Sequence, residues 1–305
     1  MEIVTYEEVD DIQMSELTLA CFGHTYSREH VSNMIKNDSR IPDWGGELYA
    51  VEDGKVIGTV GMLYPKVRTE DGIQEVGGIR NVCTRASESR KGTARRLLDE
   101  AHKRMLDRGV RFSFLMTSKA LVAYRFYENL GYRDIYHHPT AFKKAEKNES
   151  DIQLKKEKEP GYIRELHQEN VEGLNGLVVR EPDYWQAIQA RGWPDNDKVR
   201  IAYEDNNKIG YALFSKKRKQ LDCEELGAKD EGYLNKILAG LESKAGDHDV
   251  VIHNVNPNHE DVLKKRGYHI YDDKWDKVMV KDFEDEQHVE LDILRPFHVS
   301  IYESY

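Results

Sequence analysis

The sequence predicts an α+β protein of two tandem halves, each a mixed sheet flanked by helices. Three observations carry this. Asp53-Gly54 separates the alternating apolar runs 47–51 and 56–63, the pattern of a hairpin. Next, the turn Ser89-Arg90-Lys91-Gly92-Thr93-Ala94 parts a β-prone run, 79–84, from a segment with Ala94, Leu97, Leu98, Ala101 and Met105 at steps of three and four, the period of an amphipathic helix. Finally, the later chain echoes the earlier one. Glu204-Asp205-Asn206-Asn207-Lys208-Ile209-Gly210 follows Glu52-Asp53-Gly54-Lys55-Val56-Ile57-Gly58, and Lys265-Arg266-Gly267-Tyr268 follows Asn129-Leu130-Gly131-Tyr132.

The elements follow in order. A first strand over 3–5 leads to helices over roughly 7–21 and 28–36, separated by the loop Phe22-Gly23-His24-Thr25-Tyr26-Ser27. The hairpin comes next, then a strand over about 73–84 and the long helix, with Ser89 as its N-cap and Gly109 at C′. A strand over 111–117, a short helix carrying Ala123 and Tyr127 and stopped by Gly131, and a strand over 133–142 close the first sheet. The predicted order is β-α-α-β-β-β-α-β-α-β. Residues 146–161 are highly charged and read as a linker, with a short strand at 152–154. The copy in the second half is shorter: Gly58 to Gly131 spans 73 positions, Gly210 to Gly267 only 57. Tyr184, Trp185 and Trp193 read as core. The predicted division is 1–145, linker 146–161, second domain 162–282 and tail 283–305.

Composition narrows the function. Charged residues make up 33% of the 305 and the net charge is −10, which disfavours nucleic acid and favours a cationic acceptor. The three cysteines, Cys21, Cys83 and Cys223, lie far apart and suggest neither a disulfide framework nor a metal site. The acidic N-terminus lacks a signal-peptide apolar stretch, and no run approaches the roughly 20 apolar residues that cross a bilayer. The expected address is the cytoplasm, with no membrane partner.

A small, basic, Gly-containing turn at a helix start offers free backbone N–H groups and the positive dipole end to phosphate. Gly92 and Ala94, together with Ala123, Tyr127, Gly131 and Tyr132 thirty residues on, resemble the two signatures of the GNAT superfamily of CoA-dependent N-acetyltransferases: Q/R-x-x-G-x-G/A for the pyrophosphate loop and A-x-x-x-Y-x-x-x-G-F/Y for the later helix. The element order is also that of a GNAT domain, and the resemblance covers about residues 1–145. Two positions depart from the pattern. Ser89 stands at the Gln/Arg position, which backbone amides with Arg90 and Lys91 alongside compensate, and Ala120 replaces an Asn that would contact the pantetheine arm.

The resemblance implies tandem GNAT folds, the N-terminal one intact and the C-terminal one degenerate. In the second half Asp230 and Glu231 fall where phosphate would sit, and Leu263 stands where Tyr127 stands in the first. An inactive copy that shapes the acceptor cleft is the expected role. Among tandem GNATs the Eis-type acetyltransferases, whose first half is active, are the closer pattern, ahead of mycothiol synthase-like enzymes.

The implied reaction is acetyl transfer from acetyl-CoA, without a metal, to a primary amine of a small molecule or a lysine-like group. An alkylammonium near pKa ~10.4 must lose its proton before it attacks, an amide near Val82, Cys83 and Thr84 would hold the oxyanion, and a phenol would protonate the leaving thiolate of pKa ~8.5. Tyr127 is the expected acid. Ser89, Arg90, Lys91, Gly92, Thr93 and Ala94 would hold the pyrophosphate. Glu75 is the nearest strand carboxylate for the base, Gly78 standing where many GNATs have a Glu, while His24 and Tyr26 would face the acceptor. The apolar-aromatic tail ending at Tyr305 either pairs as a last strand or packs toward the cleft, where its terminal carboxylate would serve as base in the manner of Eis-type enzymes. The alternative reading is a non-catalytic acyl-CoA sensor. A homo-oligomer is left open.

Overall fold

The computed structural model describes residues 1–190, 192–193, 195–272 and 277–284. The first half runs β1 (Glu2–Thr5), α1 (Asp11–Phe22), α2 (Arg28–Asn37), β2 (Glu47–Glu52), β3 (Lys55–Leu63), β4 (Lys66–Thr69), β5 (Gly72–Glu75), β6 (Gly77–Thr84), α3 (Thr93–Asp107), β7 (Phe112–Thr117), α4 (Val122–Glu128) and β8 (Arg133–His137). It continues through β9 (Thr140–Lys143), β10 (Gln153–Lys155), α5 (Pro160–Asn170), α6 (Pro182–Ala190), β11 (Val199–Glu204), β12 (Asn207–Lys217) and β13 (Gln220–Ala228). The last described elements are α7 (Glu231–Ala245), β14 (Asp249–Ile252), α8 (Glu260–Lys265), β15 (His269–Tyr271) and β16 (Lys277–Asp282).

Among the described residues two seven-stranded sheets form, ordered β1-β2-β3-β6-β7-β16-β8 and β10-β11-β12-β13-β14-β9-β15. The orders are the same strand for strand, with one exchange. β16, from the end of the described chain, lies antiparallel between β7 and β8 of the first sheet. In return β9 lies between β14 and β15 of the second. The single strand read at 133–142 is therefore two. β8 stays in the first sheet and β9 crosses to the other, because an alternating strand encodes which face it buries but not which edge it joins.

The strand read at 73–84 also divides, at Val76, whose buried N–H donates to Pro65 O. Its first part pairs with β4 in a separate hairpin. That hairpin leans on the second half, with Val67 bridged to Val178 and Arg68 N–H donating to Leu177 O at 3.0 Å. Beneath it one apolar cluster joins Phe112 and Phe114 of β7, Val278 and Val280 of β16, and Tyr184, Trp185 and Trp193 of the second half. The aromatic trio is core, as the sequence suggests. Within it Arg180, fully buried, forms a bidentate pair with Glu225 at 2.8 and 3.2 Å.

One sequence expectation fails at the cysteines. Cys21 at the end of α1 and Cys83 on β6 are joined as a disulfide with a Cα–Cα distance of 6.3 Å. Their 62-residue separation hides a contact that the packing of α1 on β6 creates. No described helix is long and apolar enough to cross a membrane.

Two buried histidines give the fold an acid limit. His102 hydrogen-bonds the Tyr132 hydroxyl at 2.8 Å, and burial, with Lys281 and Arg95 nearby, lowers its pKa to about 3. Burial lowers that of His259 to about 4. The unfolded chain binds these protons near pH 6.5 and the folded chain does not, so stability falls as pH drops below 6.5. At pH 4.5 the loss reaches about 2–3 kcal/mol per histidine. The Tm should fall by several degrees between pH 6.5 and 4.5, and His102→Gln should flatten that slope. An equal slope in the variant would remove His102 as a cause.

Candidate active site

β6 and β7 run parallel for only two rungs, Gly77 with Ser113 and Gly78 with Phe114. Beyond them the strands part, and among the described strands residues 79–84 of β6 keep only β3 as a neighbour. A bulge sits in this free stretch. Thr59 pairs with Cys83 but Gly61 with Arg80, so Val60 faces both Asn81 and Val82, and Asn81 takes a left-handed φ of +53°. Arg85 N–H donates to Ile57 O of β3 at 2.8 Å. Strand alternation then turns the N–H groups of Thr84 and Val82 toward the open side.

The phosphate loop follows directly. A short 3₁₀ turn, Ala86–Glu88, ends at Ser89. Ser89 is thus not the N-cap of α3; Gly92 is, at φ +88° and with no side chain capping the helix. Arg90 is also left-handed at φ +64°. Two such residues in one short loop curl its amides into a concavity that suits an anion. Among the described residues nothing lies within 4 Å of the Cβ that Gly92 lacks. Lys91 pairs with Glu88 at 3.0 Å on the surface, and Arg90 is exposed. At the far end of α3, Gly109 at φ +79° and Val110 N–H on Met105 O close the helix as the sequence predicts.

Tyr127 projects from α4 into the apolar cluster that also takes Val82, Leu97 and Leu115, stacking edge-on against Tyr132 at 6.0 Å. No described residue hydrogen-bonds its hydroxyl, and burial pushes its pKa up to about 12.

A cavity of about 460 Å³ opens on the other side of the bulge, lined by His24, Tyr26, His30, Met34, Arg80 and Asn81 among others. His24 and Tyr26 come from the loop between α1 and α2, where the sequence places them. The second half contributes Ala187 of α6, and Tyr184 on the same helix stacks under Arg40 at 4.5 Å. Behind the wall lies Glu47 of β2, 1% exposed, which accepts from Arg80 Nη2 at 2.7 Å and Asn81 Nδ2 at 3.2 Å, with the Tyr26 hydroxyl at 3.5 Å. Burial holds the Glu47 carboxyl above the usual carboxylate range, and Arg80, Asn81 and Tyr26 offset only part of that rise. Burial likewise raises Tyr26, which stays a phenol at neutral pH.

Glu75 is not in this group. It ends β5, bound by Arg108 through Nε and Nη2 at 2.5 and 2.9 Å, and is not among the residues lining the cavity. Tyr305 lies outside the described residues. Sequence reasoning missed Glu47 and Arg80, which sit inside ordinary strand patterns; a charged residue at a position that alternation assigns to the interior is the signal both carry.

The second half supplies the contrast. β13 and β14 also part after four rungs. Here Asn170 of α5 enters the gap, its side chain donating to Ala228 O at 2.8 Å and accepting from Ala228 N–H at 3.0 Å. Asn256 and Asn258 donate to its carbonyl. Only about 30 Å³ remains. Gly210 pairs with Ala228 as Gly58 pairs with Thr84, so Ala228 is the counterpart of Thr84, whose N–H and C=O no described side chain takes. The helix start is closed as well, since Asp230 caps α7 by accepting from Tyr233 N–H at 2.8 Å. Leu263 is buried in the core of this half.

A family model described as "Acetyltransferase (GNAT) domain" matches residues 2–135. The first half of this chain is a GNAT acetyltransferase domain. The chain that carries this domain is accordingly an acyltransferase, with a mixed α/β fold whose two sheets fit a tandem GNAT arrangement. Solved structures share the fold along nearly its whole length. A probable N-acyltransferase from Enterococcus faecalis aligns with a TM-score of 0.69 at 16% identity, over 93% of this chain and 72% of its own. A GCN5-related N-acetyltransferase from Anabaena variabilis gives 0.67 at 14%, over 92% and 72%. Eis1 from Mycobacterium abscessus gives 0.61 at 13%, over 92% and 74%. No curated protein matches the chain by sequence.

Proposed function

We propose that this GNAT protein transfers the acetyl group of acetyl-CoA to a primary amine, of a small molecule or a lysine-like group, by direct attack in a ternary complex. The observation that carries the reading is the difference between two matching clefts. Among the described residues, the first half leaves its strand gap open and its helix start uncapped, and the second fills both with its own side chains, Asn170 and Asp230.

Pyrophosphate is held by the amides from Arg90 to Ala94 at the start of α3, and the pantetheine arm lies along β6 between Val82 and Thr84. The thioester carbonyl accepts from a β6 amide at the bulge. The amine enters from the cavity of His24 and Tyr26, with the second half as its outer wall, and His24 takes the proton there. Attack forms the C–N bond and puts negative charge on the carbonyl oxygen. Collapse breaks the C–S bond, and Tyr127 gives its proton to the departing sulfur. The acidic surface suits a cationic acceptor approaching from water.

The test is thiol release from acetyl-CoA with and without a panel of primary amines. Amine-dependent release is expected; binding of CoA without any turnover would leave a sensor. Titration with CoA should give one site per chain, since Asn170 and Asp230 close the second cleft. A stoichiometry of two would contradict the assignment.

A further inference from the structure

Three neighbouring strands place three residues in one line. Glu47 on β2 pairs with Gly61 on β3, and Gly61 pairs with Arg80 on β6. Glu47 reaches Arg80 across the glycine. A Cβ at Gly61 would lie 2.7 Å from Glu47 Oε1 and 2.8 Å from Arg80 Cγ, so the middle strand leaves the space that the pair occupies. The bulge starts at the next residue. Asn81, held in the left-handed region, donates its carboxamide to the Oε1 atom that Arg80 also binds. Asn enters the left-handed region more readily than other non-Gly residues, and here its side chain is also tied down by Glu47. One buried carboxylate ties down both residues that enter the bulge, and the amide leaving it is Val82 N–H, on the open side of the strand.

We propose that Glu47 is a positioning residue for acyl transfer: by binding Arg80 and Asn81 with a single carboxylate oxygen, it sets the backbone turn that aims the Val82 amide at the thioester carbonyl. This inference rests on the acetyl-CoA reading of the β6 cleft. Glu47 touches neither substrate. Its effect falls on the oxyanion, which forms after acetyl-CoA has bound, so its loss weakens turnover rather than binding. Tyr26, whose hydroxyl lies beside both Glu47 and Arg80, links the same cluster to the wall of the acceptor cavity.

The experiment compares wild type, Glu47→Gln and Asn81→Ala with acetyl-CoA carrying a ¹³C label in its carbonyl. Wild-type turnover with an amine tests the function itself, so inert wild-type protein refutes that reading and not the role of Glu47. In active protein the bound carbonyl resonance should move downfield of free acetyl-CoA, as a hydrogen bond to its oxygen requires. Each variant should lose at least half of that displacement and roughly tenfold in kcat, an effect within the range for a weakened oxyanion donor. The Kd for acetyl-CoA should stay within about twofold. The double variant should be no slower than the slower single one, because both act through one turn of backbone. Should Glu47→Gln fail to fold, Asn81→Ala carries the test alone. An unchanged carbonyl resonance and kcat in a folded variant overturns the proposal, as does a fall in acetyl-CoA affinity matching the fall in kcat.

Discussion

Tyr127→Phe should lower kcat by about 10²-fold or more and leave acetyl-CoA affinity almost unchanged. Among the described residues the hydroxyl has no partner to lose, and the ring stays packed on Tyr132 and within the cluster around Leu97. The substitution therefore removes a proton donor and little else. The variant's Tm should lie within a degree or two of wild type. Burial raises the Tyr127 pKa to about 12, so it remains protonated across the working range and the rate should show no descending limb from its ionisation below about pH 11. Wild-type turnover in the Phe variant would assign the proton to water.

Gly92→Asp should weaken CoA binding by roughly 100-fold or more, since two charge-assisted hydrogen bonds to phosphate are worth roughly 1.5–3 kcal/mol each. No described residue lies within 4 Å of the added Cβ, so the fold bears the left-handed φ, about 1–2 kcal/mol. The new carboxylate puts a negative charge at the N-terminus of α3, where Asp230 puts one on α7, and repels phosphate there. Calorimetry on folded variant with unchanged CoA affinity would remove the loop from the site. Gly92→Ala, which adds the Cβ without the charge, should lose much less.

What the sequence made legible was whatever depends on local chemistry. The Asp53-Gly54 hairpin, the Gly92 turn, the Gly109 stop and the Asp230 substitution each follow from the backbone demands of a few adjacent residues, and each is where the pattern puts it. Ser89 was misplaced by one turn, because Gly92 at positive φ starts the helix later than a Ser cap would. What depends on partners far along the chain was hidden. Glu75 reads as a strand carboxylate near the chemistry until Arg108, 33 residues away, is seen to hold it. Asn170 gives no sign in sequence that it will plug a cleft 58 residues on. Glu47 and Arg80 matter through register across three strands, and register is a tertiary property.

The exchange of β9 and β16 reaches into how this protein is made. Arg111, at the foot of β7, pairs with Asp282 at the end of β16, 171 residues later. At ribosomal speeds of roughly 5–20 residues per second, β7 and β8 wait on the order of ten to thirty seconds for the strand that belongs between them. Through that interval the nascent first half holds a slot about 10 Å wide, two strand spacings across, with bare backbone on both sides. Such edges invite a neighbour's strand, or a chaperone. A ribosome-bound chain stopped short of residue 277 should accordingly be cleaved by protease around β7 and β8 and be protected once β16 emerges, so the first sheet is completed only when the second half has been translated.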